Sequence, residues 1–258
     1  MNRIEQLFQT HPQQMLSIYF CAGYPDRNNT AQVICSLERH GVDMIEIGIP
    51  FSDPMADGLV IQEAATQALR NGMSVSLLFE QLKDIRQDVR IPLILMGYLN
   101  PILHYGFEAF CKQCATVGID GLIIPDLPFR EYELHYRTMA EHYGLRVIML
   151  ITPETSEARI HEIDGHTNGF IYMVSSASTT GAQQNFDEQK QAYFQHIDSL
   201  HLRNPRMIGF GISNRQTFQA ACAHASGAII GSRFIALLKE AKGNPDQAIK
   251  LLLQQIGK

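Results

Sequence analysis

Short apolar runs alternate with longer amphipathic segments along the whole chain. That order predicts an α/β fold: a single (β/α)8 TIM barrel over residues 1–258, with an extra N-terminal helix. Three observations carry the prediction. Eight apolar runs of strand length recur, and they are continuous rather than alternating, as in parallel strands buried on both faces. A glycine precedes several of these runs, in His40-Gly41-Val42-Asp43, Val117-Gly118-Ile119-Asp120 and Tyr143-Gly144-Leu145-Arg146. Glycine suits the left-handed position that ends a helix before a strand. The length of 258 residues is that of eight βα units. A doubly wound sheet is the alternative, and no linker or composition shift marks a domain boundary.

The strands are expected at 17–22, 43–49, 92–96, 121–124, 146–151, 169–174, 207–210 and 227–230. The first helix between them, 30–40, places Val33, Ile34 and Leu37 on one stripe and stops at Gly41. Residues 66–89 are too long for one simple helix, and Gly72 is expected to break them. Helices follow at 107–117, 130–143, 186–202 and 215–225, and a last one at 234–256 closes the chain. At the N-terminus, Ile4, Leu7 and Phe8 have helical spacing and could plug the open bottom of the barrel.

Composition narrows the function classes. With 45% hydrophobic and 18% charged residues, the chain can bury a large core, which excludes disorder. The net charge of -5 argues against nucleic acid or an anionic membrane as the main partner. A small anion remains open, because backbone N–H groups can hold one. No run of about eighteen apolar residues suggests a membrane span, and the five cysteines lack disulfide-framework spacing. A cytoplasmic protein is expected.

The most unusual segment is 45–58, Ile45-Glu46-Ile47-Gly48-Ile49-Pro50-Phe51-Ser52-Asp53-Pro54-Met55-Ala56-Asp57-Gly58. By period two, Met44, Glu46 and Gly48 share one face, and Ile45 and Ile47 take the other. The isoleucines would pack on the outer helices, so Glu46 points into the barrel near its C-terminal end. A carboxylate there is costly unless paired or used. Pairing with a barrel Arg or Lys is the plainer reading, yet the strand interiors hold almost no cations apart from Arg146. The acidic loop that follows lies at the catalytic face of such a barrel, although Asp53 and Asp57 are also ordinary turn residues.

A second constellation is glycine-rich. Gly209-Phe210-Gly211-Ile212-Ser213-Asn214 follows the seventh strand and Gly231-Ser232 the eighth, with Thr179-Thr180-Gly181 after the sixth. The loops after strands seven and eight commonly bind phosphate in this fold. Ordinary turn glycines are the alternative. Residues 175–190 are polar and read either as a mobile lid or as a plain connection. Cys111-Lys112-Gln113-Cys114 sits on an amphipathic helix without a second pair, and the Rossmann, P-loop, HExxH and GxSxG patterns are all missing.

On these residues the chain resembles the tryptophan synthase α-subunit family. Residues 45–58 match its signature, apolar-E-apolar-G-x-P-F-S-D-P-x-A-D-G, throughout. Gly97-Tyr98-Leu99-Asn100-Pro101-Ile102 and residues 121–128 resemble its segments around strands three and four. The resemblance implies retro-aldol cleavage of indole-3-glycerol phosphate to indole and glyceraldehyde 3-phosphate. It implies Glu46 as the catalytic acid/base and Asp57 as the carboxylate facing the indole N–H. It assigns Gly181, Gly211, Gly231 and Ser232 to the phosphate, Tyr172 and Phe210 to the pocket walls, and Thr180 to a lid that meets Asp57. Asp53, Pro54 and Asn100 would face a β subunit in an α2β2 tetramer. Pyridoxal phosphate is expected in that subunit and no cofactor or metal in this chain. A stand-alone lyase releasing free indole would use the same residues. The chain departs from the family where Ser176 and Ser178 replace a common Arg and Gly of the lid. It also carries Arg233 after Gly231-Ser232, either near the phosphate or turned to solvent.

Overall fold

The computed structural model describes residues 1–175 and 188–258. Eight parallel strands close into a barrel in sequence order. They are β1 (Met15–Cys21), β2 (Met44–Gly48), β3 (Leu93–Met96), β4 (Gly121–Ile123), β5 (Arg146–Ile151), β6 (Ile171–Val174), β7 (Arg206–Gly209) and β8 (Gly227–Ile230). The ring closes where β1 pairs with β8, Met15 against Gly227 and Ile18 against Ile230. Closure excludes the doubly wound sheet, which would leave two edges.

Period two sorts the side chains into two cores. Ile45 and Ile47 of β2 join the outer core beneath the helices. Met44 turns inward with Met15, Ile94, Ile123, Ile148, Met207 and Ile229, filling the barrel. The N-terminal helix Arg3–Thr10 closes the bottom: Ile4 is fully buried in this inner layer, and Leu7 and Phe8 pack against it. Arg146, the first residue of β5, pairs with Glu5 of that helix at 2.7 Å and so serves the bottom of the barrel.

Gly41, Gly118 and Gly144 all adopt left-handed φ at helix ends. Gly72 (φ +85°) separates Leu59–Arg70 from Val75–Leu82. The expected helix 234–256 is instead two, Ser232–Glu240 and Pro245–Ile256. The break is local chemistry: Lys242 and Gly243 take positive φ, and Asn244 caps the next helix with Pro245 in its first turn. A π turn at Tyr132–Tyr136 interrupts the helical stretch expected at 130–143. Two further helices, Leu99–Tyr105 and Glu157–His166, are not among those expected from sequence. No described helix is long and apolar enough to cross a membrane.

Candidate active site

The site lies at the C-terminal ends of the strands, and β1 and β2 build its deepest part. Glu46 is fully buried and faces the barrel interior, beside Tyr19 of β1 and Ile94 of β3 in strand register. No cation pairs with it among the described residues. Its Oε1 accepts a hydrogen bond from Ser17 Oγ at 3.0 Å, and its Oε2 has no partner among the described residues. Burial without a counter-charge disfavours the carboxylate. It pushes the Glu46 pKa up to about 8, against a smaller lowering effect of Ser17.

Asp57 sits beyond β2, where the turn Asp53–Asp57 is closed by Asp57 N donating to Pro54 O. It is 8% exposed. Tyr98, at the end of β3, donates its hydroxyl proton to Asp57 Oδ2 at 3.1 Å and accepts from Ala56 N at 2.9 Å. Burial raises the Asp57 pKa to about 6, and the Tyr98 bond opposes that rise. The two carboxyls therefore differ near neutrality: Glu46 is mostly protonated and Asp57 mostly ionised.

Above them is a cavity of about 350 Å³ lined by Tyr19, Asp57, Met96, Tyr172, Phe210 and Ile229, with Gly211, Gly231 and Ser232 along one wall. Glu46 does not line it; its neighbour Tyr19 does. Tyr172 meets Phe210 edge-on, with ring centroids 6.3 Å apart. The two inward tyrosines each lean on a glycine of another strand. Tyr19 covers Gly48 of β2 and Tyr172 covers Gly209 of β7, so closely that a Cβ at either glycine would collide with the phenol.

Phe210 holds a left-handed φ of +69°, followed by Gly211 at +74°. Such a conformation at Phe210 costs on the order of 1–3 kcal/mol and needs support. Ser175 supplies it, donating Oγ to Phe210 O at 2.8 Å. Gly231 and Ser232 open the helix Ser232–Glu240, so its first free N–H groups lie at the cavity wall. Dipole, glycines and hydroxyl together suit an anion. Arg233 lines the same wall, but its Nε donates to Gln255 Oε1 (2.8 Å) and its Nη1 pairs with Glu240 (3.2 Å). Its guanidinium is thus engaged with the C-terminal helices rather than turned to solvent, on the wall where an anion would sit.

The structure gathers Asp57, Tyr172, Phe210, Gly211, Gly231 and Ser232 around one cavity and sets Glu46 beside it. Thr180 and Gly181, with Ser176, Ser178 and most of the expected lid, lie outside the described residues. Asp53 and Asn100 are exposed and Pro54 half-buried, next to Met55 and Leu59, which are 90% and 76% exposed. Cys111 and Cys114 are buried in the helix Phe107–Val117, and no metal-binding cluster occurs among the described residues. Sequence reasoning overlooks Ser17, Tyr19 and Tyr98. Ser17 has a signal, since a small polar residue inside an otherwise apolar strand needs a partner.

A family model for the tryptophan synthase alpha chain matches residues 6–258. The chain is 71% identical over 252 residues to the tryptophan synthase alpha chain of Bacteroides fragilis, covering 98% of this chain and 95% of that one. It is 69% identical over 249 residues to that of Bacteroides thetaiotaomicron, covering 96% and 97%. The structure of the tryptophan synthase alpha chain from Legionella pneumophila superposes with a TM-score of 0.87 at 33% identity, over 99% of this chain and 96% of that one. A crystal structure of tryptophan synthase from M. tuberculosis in its aminoacrylate-bound form superposes with a TM-score of 0.85 at 27% identity, covering 99% and 98%.

Proposed function

We propose roles for these residues on one premise: the chain belongs to the tryptophan synthase alpha chain family. It is a lyase subunit that cleaves indole-3-glycerol phosphate to indole and glyceraldehyde 3-phosphate, in tryptophan biosynthesis.

Indole leaves as a carbanion only with difficulty, so its C3 must be protonated first. Glu46 is the acid. Its proton passes to C3 and leaves a cationic indolenine, and the Asp57 carboxylate holds the ring N–H and its charge. The Glu46 carboxylate then takes the proton of the hydroxyl on the carbon bonded to C3. The C–C bond breaks, its electrons restore the indole ring, and the aldehyde forms. One proton leaves Glu46 and one returns, so the acid is regenerated. The burial of Glu46 with only the Ser17 hydroxyl bonded to it, beside a cavity lined by a Tyr98-bonded Asp57, is the observation that carries the reading, and the raised Glu46 and lower Asp57 pKa values agree with this division.

The phosphate is held by Gly211, Gly231 and Ser232, with Gly181 added from outside the described residues. Tyr172 and Phe210 flank the indole. The family implies a beta-subunit partner. Asp53, Pro54 and Asn100 form the docking face, a reading supported by the exposed Met55 and Leu59 beside them. The assembly is an α2β2 tetramer in which the beta subunit holds the pyridoxal phosphate and receives the indole. The whole chain acts as one domain, and five free cysteines fit a cytoplasmic location.

The test is indole release from indole-3-glycerol phosphate, with and without the beta subunit. Glu46→Gln is expected to lose about three orders of magnitude in rate. A near-wild-type rate in this variant would remove Glu46 from the mechanism. Size-exclusion chromatography with the beta subunit is expected to show a shared peak, and separate peaks at micromolar concentration would argue against the tetramer.

A further inference from the structure

We propose that Ser17 is the positioning residue of the acid/base: its hydroxyl holds Glu46 by Oε1 and leaves Oε2 to exchange the proton with substrate. The proposal rests on the reading of Glu46 as the acid.

Ser17 is fully buried in the middle of β1. Its register partners are Met44 of β2 and Ile229 of β8, both apolar members of the inner layer. A hydroxyl in such a place costs on the order of 1–3 kcal/mol unless it is bonded. Its bond goes across to the neighbouring strand, to Glu46 Oε1 at 3.0 Å. Apolar neighbours alone give no reason for a hydroxyl here. The acid's need for a partner does.

Two effects follow. One oxygen of Glu46 is tethered and the other is unpartnered among the described residues, so the transferable proton resides on Oε2. After transfer, the buried carboxylate faces no cation among the described residues. The groups around it are the phenols of Tyr19 on β1 and Tyr172 on β6, both kept neutral by burial, and Asp57 beyond β2, which is itself anionic. Cys21, further along the inward face of β1, is also kept neutral by burial. Ser17 is then the donor that stabilises the carboxylate between the two proton transfers.

The experiment compares pH profiles of indole release for the full chain with its beta subunit, as wild type, Ser17→Ala, Ser17→Thr and Glu46→Gln. Ser17→Ala is expected to lower kcat at pH 7 by roughly tenfold with little change in KM, and to move the alkaline limb up by about one pH unit. Ser17→Thr keeps the hydroxyl and is expected to restore the limb. If Ser17→Ala does not fold, Ser17→Cys, of similar shape but a weaker donor, is expected to shift the limb in the same direction. An unmoved limb in a folded variant, or a threonine variant no better than alanine, overturns the proposal while Glu46 stands. An active Glu46→Gln overturns the acid assignment itself, and the role of Ser17 with it.

Discussion

Tyr98 and Asp57 form a directed pair, with the phenol donating to Asp57 Oδ2 at 3.1 Å while Ala56 N–H donates to the phenol oxygen at 2.9 Å. Phe51 packs on the Tyr98 ring, with centroids 5.2 Å apart, and limits its rotation. Tyr98 thereby aims the carboxylate and favours its ionised form. Tyr98→Phe keeps the ring and removes the donor. Asp57 should then titrate higher, moving the acid limb of the pH profile up by about half a unit to one unit. The rate at pH 7 should fall by roughly tenfold. An unchanged acid limb would show that the pair has no electrostatic effect on Asp57.

Activity should follow a bell-shaped pH curve. Asp57 must be ionised, which fails as pH drops below about 6. Glu46 must be protonated, which fails as pH rises past about 8. Indole release under single-turnover conditions should peak between these values, with each limb lost in the corresponding carboxamide variant. A rate still climbing above pH 9 would contradict the assigned protonation states.

Stability carries the same signature. Glu46 is raised from 4.5 to about 8 in the folded chain, so the native state binds its proton more tightly than the unfolded state. Stability from this group is intact below the unfolded value and is lost as pH rises through the folded one. The loss amounts to a few kcal/mol, at about 1.4 kcal/mol for each pH unit that separates the folded from the unfolded value. Glu46→Gln removes the ionisation. Its melting temperature should therefore fall less than that of the wild type between pH 5 and pH 9 in thermal scans.

Gly209→Ala tests the fit of Tyr172. A Cβ there meets the Tyr172 phenol with no free space, so either the ring or the strand must move. Overpacking of this kind costs about 1–3 kcal/mol. Because Tyr172 lines the cavity, KM should rise together with the loss of stability. A variant of wild-type stability would show that the ring moves aside freely.

Ile4→Ala tests the separation of bottom from top. Ile4 is fully buried in the inner layer, and its truncation should cost about 2–5 kcal/mol. A chain of this size loses roughly 2–4 °C in melting temperature per kcal/mol. Indole release at 25 °C should stay within about twofold, because the plug lies at the end of the barrel opposite the mouth. A large loss of activity in the folded variant would show that the bottom layer is coupled to the site.

Much of the fold is legible in the chain because its signals are local. Continuous apolar runs and glycine helix ends place the strands to within two residues at most boundaries, and Gly72 marks a real break. The split at Lys242–Gly243 escapes the periodicity, although Asn244-Pro245 announces a helix start. The helices Leu99–Tyr105 and Glu157–His166 escape it because they are short or weakly amphipathic, and tertiary contacts rather than periodicity secure them. For the site, Glu46 stands out as a charge in an apolar strand, and the glycines stand out by position.

The eight βα units, the inward direction of Glu46 and the acidic, glycine-rich character of the strand ends are all written in the chain. They follow from periods of two and 3.6 and from residue type, which are properties of neighbours in the chain. Other features arise only when the barrel is assembled: Ser17 tethers Glu46, and Tyr98 aims Asp57. In the same way Arg233 turns to the C-terminal helices, and two tyrosines rest on Gly48 and Gly209. Each of these joins residues on different strands, helices or loops. The physical reason is the closing of the barrel, whose strand register sets which side chains meet in a dry interior and so which carboxyl keeps its proton.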